Sequence, residues 1–305
     1  MAAGDALGAG YEFGPAFGDD IPVLMKGGGQ FDWAPGEWTD DTSMAVPLLE
    51  AAERAVASGE ALVDHLDRVA RSWFDWARSA RDVGVQTRAV LGAAAREGVV
   101  SAAQLSAASR EHLARTGRAA GNGSLMRTAP VALAHVGDAA AIADAARRVS
   151  ELTHAETDAG DACVLWCLAI DHGVRTGGLG MAAGLAMLPA PRRDVWAQRI
   201  EDAESAPPVS FGHNGWVVHA FQAAWSAIHA TRGHDEQLRV ALEMCVRAGG
   251  DTDTVACIAG QLLGAVHGAG GVPREWVALL HGWPGMTGSE LADRARGLVS
   301  TTCES

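Results

Sequence analysis

Gly249-Gly250-Asp251-Thr252-Asp253-Thr254, running on into Val255, Ile258, Leu262 and Leu263, is the stretch on which the reading of this chain turns. Two glycines permit a sharp turn, two carboxylates open the next element, and apolar residues then recur at helical spacing, as they do on a helix with one buried face. A turn of the same build lies far upstream: Trp38-Thr39-Asp40-Asp41-Thr42, followed by Met44, Leu48 and Leu49. Taken separately, each is most simply a helix cap, with an Asp oxygen accepting free backbone N–H groups of the first turn. Taken together they offer four carboxylates and adjacent hydroxyls at two helix starts. Facing each other, these would form an all-oxygen site suited to hard cations such as Mg²⁺ or Mn²⁺, and so many acids suit two ions better than one. A two-ion centre is a hydrolytic device.

Around these turns the chain is rich in Ala, Leu, Val, Arg and Glu at helical spacing, with almost no period-two alternation. The pattern predicts helices over 42–58, 61–80, 83–97, 102–115, 138–151, 155–175, 191–204, 214–231, 235–248, 253–268 and 273–281. Ser101 is expected to cap a helix with Gln104 three residues on, and Pro273 to stand in a first turn. Segments 8–40, 117–128, 205–215 and 248–254 combine Gly with polar residues and lack an apolar stripe, so function is sought there. With no linker and no internal repeat, residues 1–305 read as one compact, all-α domain.

A net charge of −13 argues against a general nucleic-acid binder, which needs clustered Lys and Arg. With 48% hydrophobic and 20% charged residues, the chain is too apolar for disorder and too interrupted by charge for a membrane span. Cys163, Cys167, Cys245, Cys257 and Cys303 are odd in number and lack a CxxC pair, which suggests neither a disulfide framework nor a zinc site. With no secretory signal readable over Met1 to Gly10, a cytoplasmic protein is expected.

The strings GDALGAGYEF (4–13), WTDDTSMA (38–45), GNGSLMR (121–127), THAETDAG (153–160), GWVVHAFQAAW (215–225) and GGDTDTVACIAGQLLGA (249–265) run in the order of a known family. The chain resembles the ADP-ribosylglycohydrolase family, in particular its bacterial members related to dinitrogenase-reductase-activating glycohydrolase. The resemblance implies an orthogonal helix bundle and a binuclear Mg²⁺ or Mn²⁺ centre with Thr39, Asp40, Asp41, Asp251, Asp253 and Thr254 as ligands. It places Glu12 over the metals and the substrate ribose, so Glu12 and Asp253 are the candidate catalytic residues. Asp5 is expected to serve the same loop by hydrogen bonding. Gly121, Asn122, Gly123 and Ser124 match the stretch that cradles ADP-ribose, His154 matches a ligand-contacting histidine, and Trp216 is a candidate pocket wall. Met126 is expected to pack, and Arg127 to play a structural part.

Two departures stand out. Little sequence precedes GDALG, so the first helix is expected to be shortened or absent. Ala119 and Ala120 stand where some members carry polar or aromatic ligand contacts. The implied reaction releases ADP-ribose from a modified protein, arginine first, or from a small-molecule conjugate. Two alternatives are a catalytically silent protein that binds ADP-ribose or neutralises a transferase, and a two-metal phosphoesterase.

Overall fold

The computed structural model describes residues 1–96, 98 and 100–304, with the side chains of Cys303 and Glu304 outside the description. Among the described residues it is built of helices: α1 (Ala2–Gly8), α2 (Asp40–Ser58), α3 (Leu66–Ala77), α4 (Val85–Ala95), α5 (Ala102–Thr116), α6 (Ala129–Leu133), α7 (Ala139–Glu151), α8 (Thr157–Thr176), α9 (Ala190–Ser205), α10 (Val217–Ala230), α11 (Gln237–Arg247), α12 (Thr252–His267), α13 (Arg274–Val277) and α14 (Gly288–Glu304). Two strands of two residues each, His281–Gly282 and Met286–Thr287, form an antiparallel hairpin before α14.

The apolar stripe read after Asp253 belongs to α12, which lies at the centre and packs against α1, α8, α10 and α11. Every residue from Thr252 to Leu263 is buried, as a helix enclosed on all sides requires. Glycine makes the closest of these contacts possible. A side chain at Gly4 would run into the carbonyl of Ala256, and one at Gly8 into the backbone of Asp253. The backbones of α1 and α12 therefore touch, and Asp5 is held within reach of both acidic turns.

The helix read over 61–80 is a 3₁₀ turn at Leu62–His65 followed by α3, which ends at Ala77. The helix read over 273–281 ends at Val277, and residue 97, the last of the helix read over 83–97, lies outside the described residues. Neither α6 nor α14 was anticipated. A first helix of seven residues, all buried, is present at Ala2–Gly8. Ser101 caps α5 as expected, accepting the Gln104 N–H at 3.3 Å. No described helix is long and apolar enough to cross a membrane.

Candidate metal centre

Neither acidic turn caps its own helix. The N-cap residues Thr39 of α2 and Asp251 of α12 make no side-chain capping bond. The start of α2 is satisfied instead by Asp5, across the α1 contact. Its Oδ1 accepts the Thr39 N–H at 2.8 Å, and its Oδ2 accepts the Thr42 N–H at 2.9 Å and the Thr42 hydroxyl at 2.6 Å. Asp40 and Asp41 are thereby released from local duty, and the capping account of this turn fails.

The two turns meet at Asp41. Its Oδ2 accepts the Thr39 hydroxyl at 3.3 Å and the Thr254 hydroxyl at 3.2 Å. The loop after α1 closes the third side. Phe13 donates its N–H to Gly250 O at 2.7 Å, and Gly250 returns its own to Gly14 O at 2.9 Å. That clamp needs two consecutive left-handed residues, Gly249 at φ 75° and Gly250 at φ 73°, a conformation in which any other residue would be strained. It also holds Phe13 at φ 59°, a strained position beside the site. Glu12 is thus carried against Asp251 and Asp253, with one carboxylate oxygen of each within 4.8 Å of the others.

Asn122 and Asn214 set the orientation of the downstream turn. Asn214 donates to Gly249 O at 2.9 Å and accepts the Asp251 N–H at 3.0 Å. The Asn122 amide donates to Asp251 Oδ2 at 2.7 Å and to Asn214 O at 2.8 Å. Asn122, read as a substrate contact, therefore has its side-chain donors engaged by the acidic turn.

Burial and mutual repulsion act in one direction on this cluster. Burial raises the carboxyls of Asp40, Asp41 and Asp253 well above the ordinary range, and neighbouring carboxylates add to the shift. Burial, then Asp251, pushes Glu12 up to about 9. Asp82, which the sequence reading missed, belongs to the same field. Burial and Asp251 raise it to about 6, and it is the largest charge acting on Asp40. Its signal was the one used elsewhere, a carboxylate just before a predicted helix, but without a second aspartate beside it.

The donor set fits divalent cations. Asp41 Oδ1, Asp253 Oδ1 and Glu12 Oε2 are buried without a hydrogen-bond partner, and no Lys or Arg forms an ion pair with Asp40, Asp41, Asp251 or Asp253 among the described residues. Buried carboxylates left so are costly unless protonated or matched by a cation.

Beside the acids, the Gly121–Ser124 segment pairs with the start of α10. Gly121 bridges Trp216, and Asn122 donates its N–H to Gly215 O at 3.1 Å. Trp216 is 39% exposed, so it is not part of the core. His154 is buried beneath this segment, and a Cβ on Gly121 or Gly123 would lie 3.2 Å or 3.0 Å from its ring. Ser124, Met126 and Arg127 are buried.

A family model described as ADP-ribosylglycohydrolase matches residues 1–304. The ADP-ribosylarginine hydrolase Tri1 of Pseudomonas putida (strain GB-1) is 28% identical over 295 residues, covering 91% of this chain and 71% of the relative. The ADP-ribosyl-dinitrogen reductase glycohydrolase of Rhodospirillum rubrum is 28% identical over 290 residues, covering 92% and 87%. A solved structure titled as an ADP-ribosylglycohydrolase-related protein complex superimposes with a TM-score of 0.72 at 30% identity, over 99% of this chain and 94% of that one. With its two acidic turns brought together at Asp41 and a family match running the length of the chain, this protein belongs to the ADP-ribosylglycohydrolase family, hydrolases of the glycosidic bond to ADP-ribose.

Proposed function

We propose that residues 1–305 act as one catalytic unit that releases ADP-ribose from a modified protein arginine, with two divalent cations, Mg²⁺ or Mn²⁺, held by Thr39, Asp40, Asp41, Asp251, Asp253 and Thr254. The observation that carries the metal reading is that Glu12, Asp41 and Asp253 each bury a carboxylate oxygen without a donor, beside the close cluster of Glu12, Asp251 and Asp253. When bound, such ions polarise substrate oxygens and lower the pKa of water.

The chain's own groups do the rest. The Gly121–Ser124 backbone and His154 receive the ADP-ribosyl group from one side, and Trp216 walls it. Glu12 stands over the acids on a clamped loop, where its free Oε2 can hold the proton exchanged between water and the leaving nitrogen. The bond between the anomeric carbon and the guanidinium nitrogen breaks, water oxygen bonds to that carbon, and the nitrogen takes the proton. The carbon passes through an oxocarbenium-like state.

Arginine is favoured because its guanidinium stays positive in the conjugate, and Asp82, raised only to about 6, is largely ionised at neutral pH beside the site. The name of the Pseudomonas relative points the same way. The test is release of intact ADP-ribose, identified by mass, from an arginine-ADP-ribosylated protein with Mg²⁺ or Mn²⁺ and then with chelator. Metal-dependent release supports the reading. AMP or phosphate as product would instead make this a phosphoesterase. No turnover on arginine, serine or small-molecule conjugates would make it a silent binding protein.

A further inference from the structure

Arg127 is fully buried and forms no ion pair with any carboxylate among the described residues. Its guanidinium lies 4.0 Å from the centre of the Trp73 ring, whose Nε1 donates to Met44 O of α2 at 2.8 Å. One arm donates to Thr153 Oγ1 at 2.7 Å and to Val149 O at 3.3 Å. Thr153 Oγ1 in turn lies 2.7 Å from His154 Nδ1. Burial draws the guanidinium down to about 9, which leaves it charged at neutral pH.

The direction of the protons follows from the inventory of donors. A guanidinium only donates, so Thr153 accepts from Arg127 and must place its own hydrogen elsewhere. Among the described residues its one remaining partner is His154 Nδ1. A proton on Nδ1 would leave the Thr153 hydroxyl hydrogen buried and unmatched, which is costly. Nδ1 is therefore the acceptor, and the ring hydrogen sits on Nε2. That nitrogen makes no hydrogen bond among the described residues and lies 3.2 Å from the Cβ positions of Gly121 and Gly123. Burial, and then the Arg127 charge, hold the imidazole neutral by depressing its pKa well below the usual value.

We propose that Arg127 and Thr153 are positioning residues that lock His154 as the Nε2–H tautomer, so that it offers a fixed donor to the ligand at the Gly121–Gly123 edge. The relay joins the helix carrying Asp40 and Asp41 to the wall that receives the ligand. Its first half stands on hydrogen-bond geometry alone, while the ligand contact rests on the ADP-ribosyl reading of the site.

The test uses the full chain, ¹⁵N-labelled, as wild type and as Thr153→Ser, Thr153→Val and Arg127→Lys. Imidazole nitrogen shifts report the tautomer, and calorimetric titration with ADP-ribose in the presence of Mg²⁺ reports binding. Wild type and Thr153→Ser should show protonated Nε2 alone. Thr153→Val, which keeps the branched shape of the side chain, should show a mixture and bind about tenfold more weakly, the scale of one lost buried hydrogen bond. Arg127→Lys, which keeps the charge and loses the planar fork, should fall between them. Pure Nε2–H in Thr153→Val overturns the relay. A mixed tautomer with unchanged affinity overturns the ligand contact. Failure of the wild type to bind ADP-ribose counts against the functional reading, and the tautomer result still decides the relay.

Discussion

The side-chain amide of Asn122 donates to Asp251 Oδ2 at 2.7 Å across 129 positions of sequence. A group that looked like part of a ligand-binding turn thus orients a carboxylate of the acidic cluster. Removing it in Asn122→Ala should weaken Mg²⁺ or Mn²⁺ binding by about 10- to 100-fold, the usual cost of losing a partner that orients a metal ligand. Isothermal titration with either ion measures this. Unchanged affinity would mean that Asp251 needs no such support.

Asp253 carries an unpartnered Oδ1 at the start of the central helix. In Asp253→Ala the release of ADP-ribose should fall by at least about 100-fold, on the scale of losing one electrostatic contact to the reacting group. The far-ultraviolet circular dichroism should stay that of the wild type. Full activity in this variant would sink the metal reading.

The raised carboxyl pKa values predict how the metal-free chain responds to pH. Between the ordinary glutamate value of 4.5 and about 9, the folded chain keeps a proton on Glu12 that the unfolded chain has released. Asp82 behaves alike between 3.8 and about 6. The folded state then binds more protons than the unfolded one, so stability falls as pH rises through this window. Thermal melting in chelator should therefore show a falling midpoint from about pH 5 to about pH 9, and added Mg²⁺ or Mn²⁺ should raise it most at the alkaline end. A midpoint that climbs across the window without metal would contradict the acidic cluster described above.

A methyl group on Gly123 would lie 3.0 Å from His154 Cε1, and His154 is 2% exposed with nowhere to retreat. Gly123→Ala should therefore shift the ring or the turn and weaken ADP-ribose binding by about tenfold, while metal affinity holds. Parallel titrations with ADP-ribose and with the metal alone distinguish the two effects. An equal loss in both would mean that the turn supports the acidic cluster and not the ligand wall.

Much of the site was legible because carboxylates at helix starts leave a local pattern, as at Asp40-Asp41 and at Asp251 and Asp253. Glu12 was found through the motif around it, since a lone loop carboxylate carries no spacing signal. Asp82 was missed for that reason: its significance comes from Asp40 and Asp251, and repulsion between charges is invisible until the chain has folded. Helix α14 was missed because its apolar residues are few, and α6 because it is five residues long.

Helix periodicity and turn chemistry act over a few neighbouring residues, so the amino-acid order alone reveals a helical chain with two acidic, glycine-flanked turns. It left open whether those aspartates cap helices or bind cations, since a carboxylate at a helix start serves either purpose. The folded chain rules out the capping role at α2. Gly4 and Gly8 lack the side chains that would hold α1 away from α12, so Asp5 arrives to cap α2 from outside. Asp40 and Asp41 are then free to face Asp251, Asp253 and Glu12. A hydrogen bond depends on where its acceptor stands in space, and that acceptor is supplied here from 34 positions away.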